Sequence, residues 1–519
     1  MQSHHPAHPS YKLIVRDRNG AALAAPTVLA VLAAAAMLCW PALLNGYPLV
    51  FADTGTYLSQ AIQHYVGWDR PAFYSLFLFA IHWKTTTWSI VVVQALLTLY
   101  ALDLTRRAFL PRLPRTALLP VVGLLCLLTP LPWFVSQIMP DLFTGLLPVA
   151  LATLVLAPVT VGRLELRLLA LLTAWMIAFH LSHIWVAVGV LVLVLPLRRL
   201  LIGGSSVGYA NLRRAMLPIL LALLMVCTAN AAAFRRFSIS PFGSVFLFAR
   251  LVYDGPAMKT LDADCSTMHW KVCRFRLDLP PHADLYPTSD HFLWLSGGPL
   301  VQLGGGKVFA PEAGAIVMRT LAEHPLAVAE SALVNFGQQA LRYHTGDGLH
   351  AWPREVGGVI ARSFPRAEYQ AFIHSRQNRD RLQAPGWLEA VNGLAFWIGL
   401  AATTACLVHG LVHRRPLALL CGAVLVCLVV NAAVAGMLSG PHDRYQNRII
   451  WLTLLVPLMA AAERLTSRAH RPQALAALAK ATRPSEAPPS LLAASFVESG
   501  SFSMAPGSLA SGTPGGEGL

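Results

Sequence analysis

Asp53 stands in the stretch Asn45-Gly46-Tyr47-Pro48-Leu49-Val50-Phe51-Ala52-Asp53-Thr54-Gly55-Thr56-Tyr57, directly after the first membrane-length apolar run and just before Arg70-Pro71-Ala72-Phe73-Tyr74. An ionised carboxylate at mid-bilayer costs at least ~2.5 kcal/mol, whereas one at the mouth of a helical bundle stays charged and usable in chemistry. Three more polar elements fall at the ends of apolar runs: Asp141 in Ser136-Gln137-Ile138-Met139-Pro140-Asp141, the pair His180 and His183, and Gly440-Pro441-His442-Asp443-Arg444-Tyr445-Gln446-Asn447-Arg448. The spans are otherwise almost free of charge, so four polar elements on one face suit a site at a bundle end.

The elements that position them follow from composition. With 55% hydrophobic residues, 13% charged and a mean hydropathy of +0.54, 519 residues would make a badly soluble globule but an ordinary polytopic membrane protein. The net charge of +15 does not indicate nucleic acid: residues 234–386 hold 16 Lys/Arg against 13 Asp/Glu, so most of the excess sits in short connections between apolar runs. A first helix is predicted from Ala21 to Leu44. Lys12, Arg16 and Arg18 before it hold the N-terminus in the cytoplasm, and the run is too long for a signal-peptide core. Further spans are predicted at Trp88–Leu104, Thr116–Trp133 and Leu142–Pro158. Leu168–Leu197 reads as two short helices meeting at Phe179-His180-Leu181-Ser182-His183, and Ala215–Ala233 follows. Trp387–Val408, Pro416–Leu438 and Ile449–Ala462 close the chain. Arg106, Arg107, Arg112 and Arg115, then Arg163 and Arg167, Arg198, Arg199, Arg213 and Arg214, and finally His413, Arg414 and Arg415 fall on the cytoplasmic side.

The expected fold is therefore an all-α polytopic membrane protein of about ten transmembrane helices with a mixed, mainly helical periplasmic domain. Its parts are a cytoplasmic N-terminus 1–20, a transmembrane module 21–233 containing the first-loop segment 45–75, a periplasmic domain 234–386, a second transmembrane module 387–465, and a disordered cytoplasmic tail 466–519 rich in Ala, Pro, Ser and Gly. Gly304-Gly305-Gly306-Lys307 lacks the spacing of a phosphate-binding loop and reads as a flexible turn. Ala313–Tyr343 has helical periodicity broken at His324-Pro325, which predicts two helices lying against the membrane surface. Cys265 and Cys273 are the exported cysteines, spaced for a local disulfide, and they offer too few ligands for a metal site.

The Asp after the first span, the Arg-Pro-aromatic segment from Arg70, the Pro-Asp at Asp141, the paired helices and the late Arg444-Tyr445-x-x-Arg448 together resemble the GT-C superfamily of membrane glycosyltransferases. Within it the chain looks most like the protein mannosyltransferase, aminoarabinose transferase and RgtA/B/C/D-like group, over roughly residues 20 to 465. The resemblance implies transfer of a sugar, with inversion, from a polyprenyl-phosphate donor to a lipid, glycan or protein acceptor at the outer face of a bacterial inner membrane, both termini being cytoplasmic. Asp53 would take the acceptor's proton, with Asp141 as a second catalytic carboxylate. Arg444 and Arg448 would meet the departing phosphate with Tyr445, His442 and Arg70, while Tyr57, His180 and His183 would line the substrate cavity. A guanidinium stays protonated and grips phosphate oxygens in a fork, which fits that role.

The chain departs from the pattern at Ala52 and Thr54, which flank Asp53, so adjacent carboxylates cannot chelate a metal. No cofactor is certain, although Mg²⁺ or Mn²⁺ bridged by Asp53 and Asp141 is compatible with the residues. Simpler readings compete: Asp53 as cap of a helix from Thr54, Asp141 as cap of the fourth span, Arg444 and Arg448 as lipid-headgroup anchors, the histidines as interfacial hydrogen-bonders, and Arg250 with Asp254 as a local ion pair. A transporter or flippase of a lipid-linked sugar, or a non-catalytic envelope-assembly protein, would carry the same topology.

Overall fold

The computed structural model describes residues 25–202 and 209–481. The N-terminal segment 1–20 with Lys12, Arg16 and Arg18, and the tail beyond Ala481, lie outside the described residues. Within them every regular element is a helix, and the β-type pairing is one parallel bridge between Leu49 and Gln137. Six helical stretches are long and apolar enough to cross a bilayer: Trp88–Phe109, Leu181–Leu201, Leu212–Phe234, Gly386–Val412, Leu417–Leu438 and Asp443–Arg468. A membrane is therefore the solvent for this chain.

Proline placement explains where apolar runs break. The first run is two helices, α1 (Ala25–Leu38) and α2 (Trp40–Asn45), because Pro41 has no N–H to continue the ladder and restarts it. Helix α3 (Ala52–Ile62) and the short apolar α4 (Phe73–His82) follow, then α5 (Trp88–Phe109). Pro130 splits the third expected span into α6 (Leu118–Leu128) and α7 (Leu131–Ser136). Next come α8 (Asp141–Leu156), α9 (Arg163–Phe179), α10 (Leu181–Ile202) and α11 (Tyr209–Phe234). The 168–197 region is thus not a pair of short helices. Both helices extend into their charged ends, and the 22 residues of α10 make a full span of about 33 Å.

After α11 the chain forms α12 (Gly243–Tyr253), α13 (Pro256–Met268), α14 (Ser289–Trp294), α15 (Pro299–Gln302), α16 (Gly305–Glu323) and α17 (Pro325–Leu341). The helix pair predicted around His324-Pro325 is α16 and α17. Gly304, at φ 91°, opens α16, and a Cβ at Gly306 would sit 2.3 Å from the Trp68 ring, so the glycine run is a packed helix start rather than a loose turn. The remaining helices are α18 (Gly357–Ser363), α19 (Arg366–His374), α20 (Gly386–Val412), α21 (Leu417–Leu438), α22 (Asp443–Asn447) and α23 (Trp451–Ala481). Helix α23 continues past Arg471, where disorder was expected.

Helix α8 is apolar all round and is buried from Asp141 to Val155, which makes it the axis of the bundle. It packs against α5, α9, α10, α11 and α21. Gly145 allows Trp451 to close on it, since a Cβ there would meet Trp451 Nε1 at 2.8 Å. The region expected to be one domain, 234–386, divides. Residues of α12, α13, α14 and α16 build their own core around Phe248, Phe292 and Phe309, whereas Val356 just before α18, Ile360 of α18 and Phe372 of α19 join the core of the bundle. Helix α17 lies on α21, and Arg250 bridges the two parts: it pairs with Asp254 at 2.6 Å and donates to Ser331, while Asn335 of α17 donates to Asp254. That ion pair therefore does more than support its own helix. Cys265 and Cys273 are disulfide-bonded.

Candidate functional site

The first loop is held by its backbone. Gly46, at φ 77°, ends α2 and turns the chain into an extended strand-like segment. Leu49 bridges to 136–138 through Leu49 N–H to Ser136 O at 2.9 Å and Ile138 N–H to Leu49 O at 2.9 Å. Gln377 brackets Val50 from the other side, accepting from its N–H at 3.1 Å and donating to its carbonyl at 2.7 Å. Thr54, not Asp53, caps α3: its hydroxyl accepts from Phe51 N–H at 2.9 Å and donates to Ile138 O at 3.0 Å. Asp53 lies in the first turn, where the helix dipole favours a carboxylate, and is free to point elsewhere. Its partner is Arg70, whose Nη2 and Nε both bond Oδ2, at 2.8 and 3.2 Å. Oδ1 carries no hydrogen bond among the described residues. Both side chains keep 17% exposure, so this pair is reachable. Asp69 beside it is half-buried, and burial lifts its carboxyl above the ordinary range against the pull of Arg70. Tyr57, one turn along α3 and fully buried, has no partner for its hydroxyl among the described residues.

Asp141 is the first residue of α8 and makes no cap bond. With 4% of its side chain exposed, it accepts from Arg448 Nη1 at 3.0 Å and faces Arg444 Nε at 3.9 Å. The two arginines come from α22 and the turn after it, and at 9% and 2% exposure they are buried counter-ions, not anchors reaching for headgroups. Arg448 Nη2 also donates to Asn431 Oδ1 at 2.7 Å, inside α21. The Arg444 guanidinium lies 3.8 Å from the centroid of the Phe51 ring, two residues before Asp53, and this stack joins the two charge pairs. One nitrogen of each arginine, Arg444 Nη1 and Arg448 Nε, is buried without a partner. Tyr445 packs its ring against both guanidiniums, at 5.3 and 5.4 Å.

The loop 344–349 covers Arg444. Asp347 accepts from its backbone N–H at 3.1 Å, and Gly348, at φ 80°, abuts Phe51 so closely that a Cβ would sit 2.2 Å from the ring. Beneath the loop a cavity of about 20 Å³ runs between Arg444, Asn447, Gln137 and Trp133. That holds a single water, so any larger ligand requires the loop to move. His442 stands outside, 4.0 Å from both Asp290 and Asp347.

The structure brings Asp53, Arg70, Tyr57, Asp141, Arg444, Tyr445 and Arg448 to one end of the bundle, with His180 and His183 beside them. His183 is committed: Nδ1 faces Met176 O at 2.7 Å and Nε2 faces the Thr144 hydroxyl at 2.7 Å, which leaves neither nitrogen for a metal. His180 sits at the break between α9 and α10, its Nδ1 against the Ser182 hydroxyl at 2.8 Å. Among the described residues no three His, Cys, Asp or Glu side chains are grouped to hold a metal ion. Sequence reasoning missed Asn431, Asp347 and Phe51. Asn431 did carry a signal, as the polar residue of the 417–438 apolar run, while Phe51 looked like any apolar loop residue. Compared with known proteins, the chain matches no protein-family model, no curated protein and no solved structure.

Proposed function

We propose that this chain is a membrane glycosyltransferase that moves a sugar from a polyprenyl-phosphate donor to an acceptor hydroxyl at this end of the bundle. In this reading α1, α6, α8 and α9 cross the bilayer with the six longer stretches, giving ten crossings. The site then opens on the periplasmic side of a bacterial inner membrane, and both termini face the cytoplasm. Support for that orientation comes from charge: Arg106, Arg107, Arg112, Arg115, Arg163, Arg167, Arg414 and Arg415 all occupy helix ends and connections at the other end.

One juxtaposition carries the reading. A reachable carboxylate with a free oxygen, Asp53 Oδ1, stands two residues from Phe51, on whose ring Arg444 stacks, and Arg444 and Arg448 share Asp141 while each keeps a buried nitrogen unpartnered among the described residues. In the proposed step the acceptor oxygen attacks the anomeric carbon, its proton passes to Asp53, and the bond to the phosphate oxygen breaks with its electron pair leaving on the phosphate. Arg444 and Arg448 stabilise that developing charge through donors already fixed by Asp141, Asn431 and Phe51. Arg70 steers Asp53 through its two hydrogen bonds to Oδ2. A divalent cation is not required: Asp53 and Asp141 each hold guanidinium charge, which a bridging metal would have to displace.

The test is Asp53→Asn in the full chain. Purified protein supplied with a polyprenyl-phosphate sugar and cellular acceptors is expected to lose about 10²- to 10⁴-fold in polyprenyl-phosphate release at unchanged abundance. Mass spectrometry of surface glycans from cells carrying the same variant reads the product directly. Unaltered modification in Asp53→Asn cells would sink the enzyme reading and leave transport or scaffolding.

A further inference from the structure

At the far end of the bundle the basic residues fall into two groups. Arg106, Arg107 and Arg115 are paired with Asp103, and Arg107 also with Glu165, at 2.5 to 3.5 Å. Arg112, Arg415, Arg464 and Arg468 have no ion pair among the described residues. They converge on a cavity of about 680 Å³ between the turn after α5, the last turn of α20 and one face of α23. Glu463 is the carboxylate lining it, and it accepts the backbone N–H of Arg112 at 3.1 Å. Four guanidiniums against one engaged carboxylate leave a strong excess of positive charge around an open volume.

His409 belongs both to this cavity and to a shallow, open depression that runs along α20 over Ala401, Thr404, Ala405, Val408, Val412 and His413. That surface is mostly apolar, ends on His413, and runs about 12 Å along α20 from the shared His409 to Ala401 toward the middle of the helix. A soluble anion would use the cavity and leave the apolar surface uncovered. A molecule with a phosphate at one end and a hydrocarbon chain at the other matches both.

We propose that the basic cavity and the adjoining apolar α20 surface form one binding site for an anionic membrane lipid, with its phosphate among Arg112, Arg415, Arg464 and Arg468 and an acyl chain along α20. Basic pockets between membrane helices recognise lipid headgroups by the same pairing of guanidinium and phosphate. The site is separate from the Asp53 face and does not depend on the reaction proposed there.

Native mass spectrometry of the full-length protein in neutral detergent tests this, with dioleoyl phosphatidylglycerol, dioleoyl phosphatidylcholine and inorganic phosphate as probes. Phosphatidylglycerol is expected to bind at least about tenfold more tightly than phosphatidylcholine. Arg112→Gln with Arg464→Gln should weaken it roughly 30-fold, since each arginine near an anionic lipid contributes about a fivefold factor. Arg163→Gln with Arg167→Gln removes the same charge at the same end but outside the cavity and should leave binding within about threefold of wild type. Val408→Trp, at an exposed position, should weaken the lipid by obstructing that apolar surface. Equal weakening by both arginine pairs would reduce the attraction to diffuse charge and overturn the site. Displacement by millimolar phosphate with no effect of Val408→Trp would overturn the lipid in favour of a soluble phosphate ligand.

Discussion

Asp141→Asn tests whether the arginine pair is preorganised by a buried carboxylate. The substitution keeps the shape of the side chain and removes its charge from between Arg448 Nη1 at 3.0 Å and Arg444 Nε at 3.9 Å. At an effective dielectric of about 20 the two contacts carry roughly 5.5 and 4.3 kcal/mol of gross attraction. Most of that offsets desolvation of the three groups, so the net loss is set by the two buried cations left behind, about 3–5 kcal/mol. An unfolding entropy near 2.1 cal/mol/K per residue gives about 1.1 kcal/mol per kelvin over 519 residues, hence a fall in melting temperature of about 3–5 °C. The assay is a melt of detergent-solubilised protein followed by tryptophan fluorescence, with Arg448→Met and the double variant measured alongside. Because Arg448→Met removes one of the stranded cations, the double variant should cost at least about 1 kcal/mol less than the sum of the singles. Asp141→Asn melting with the wild type, or strict additivity in the double variant, would refute the clamp.

Asp69→Asn should stabilise the protein at neutral pH. Burial raises the folded-state pKa of Asp69, so its carboxylate costs stability once pH rises above the unfolded value near 3.9, and the advantage of Asn should vanish in melts performed below it. Gly348→Ala should cost about 1–3 kcal/mol from its left-handed φ and its clash with Phe51, and should loosen Arg444, readable as new proteolytic cleavage in the 344–349 loop. Replacing Cys265 and Cys273 together by Ala should cost ~2.5 kcal/mol for a loop of separation 8, with the loss seen in urea titration and absent when wild type is compared under reductant.

The amino-acid pattern by itself determined the solvent and which polar segments share an end of the bundle. Runs such as 417–438 are too apolar and too long for anything but a membrane helix, and alternating the chain direction along them places Asp53, Asp141, His180 and Arg444 at one end. Helix breaks at Pro41, Pro130 and Pro325 are also written locally, although a hydropathy window runs through the first two because it averages over a missing N–H. Tertiary structure alone decided the partners. Whether Asp141 capped its helix or met Arg448, 307 residues away, depends on the rotation and tilt of α8 and α21, which no periodicity in a uniformly apolar helix reports. The same holds for Asp53. Its turn chemistry pointed to a cap, but Thr54 took that bond, and the packing of the loop against 136–138 and Gln377 then aimed the carboxylate at Arg70. Polar groups in a dry bundle take whichever partner packing delivers, and packing is a property of the whole chain.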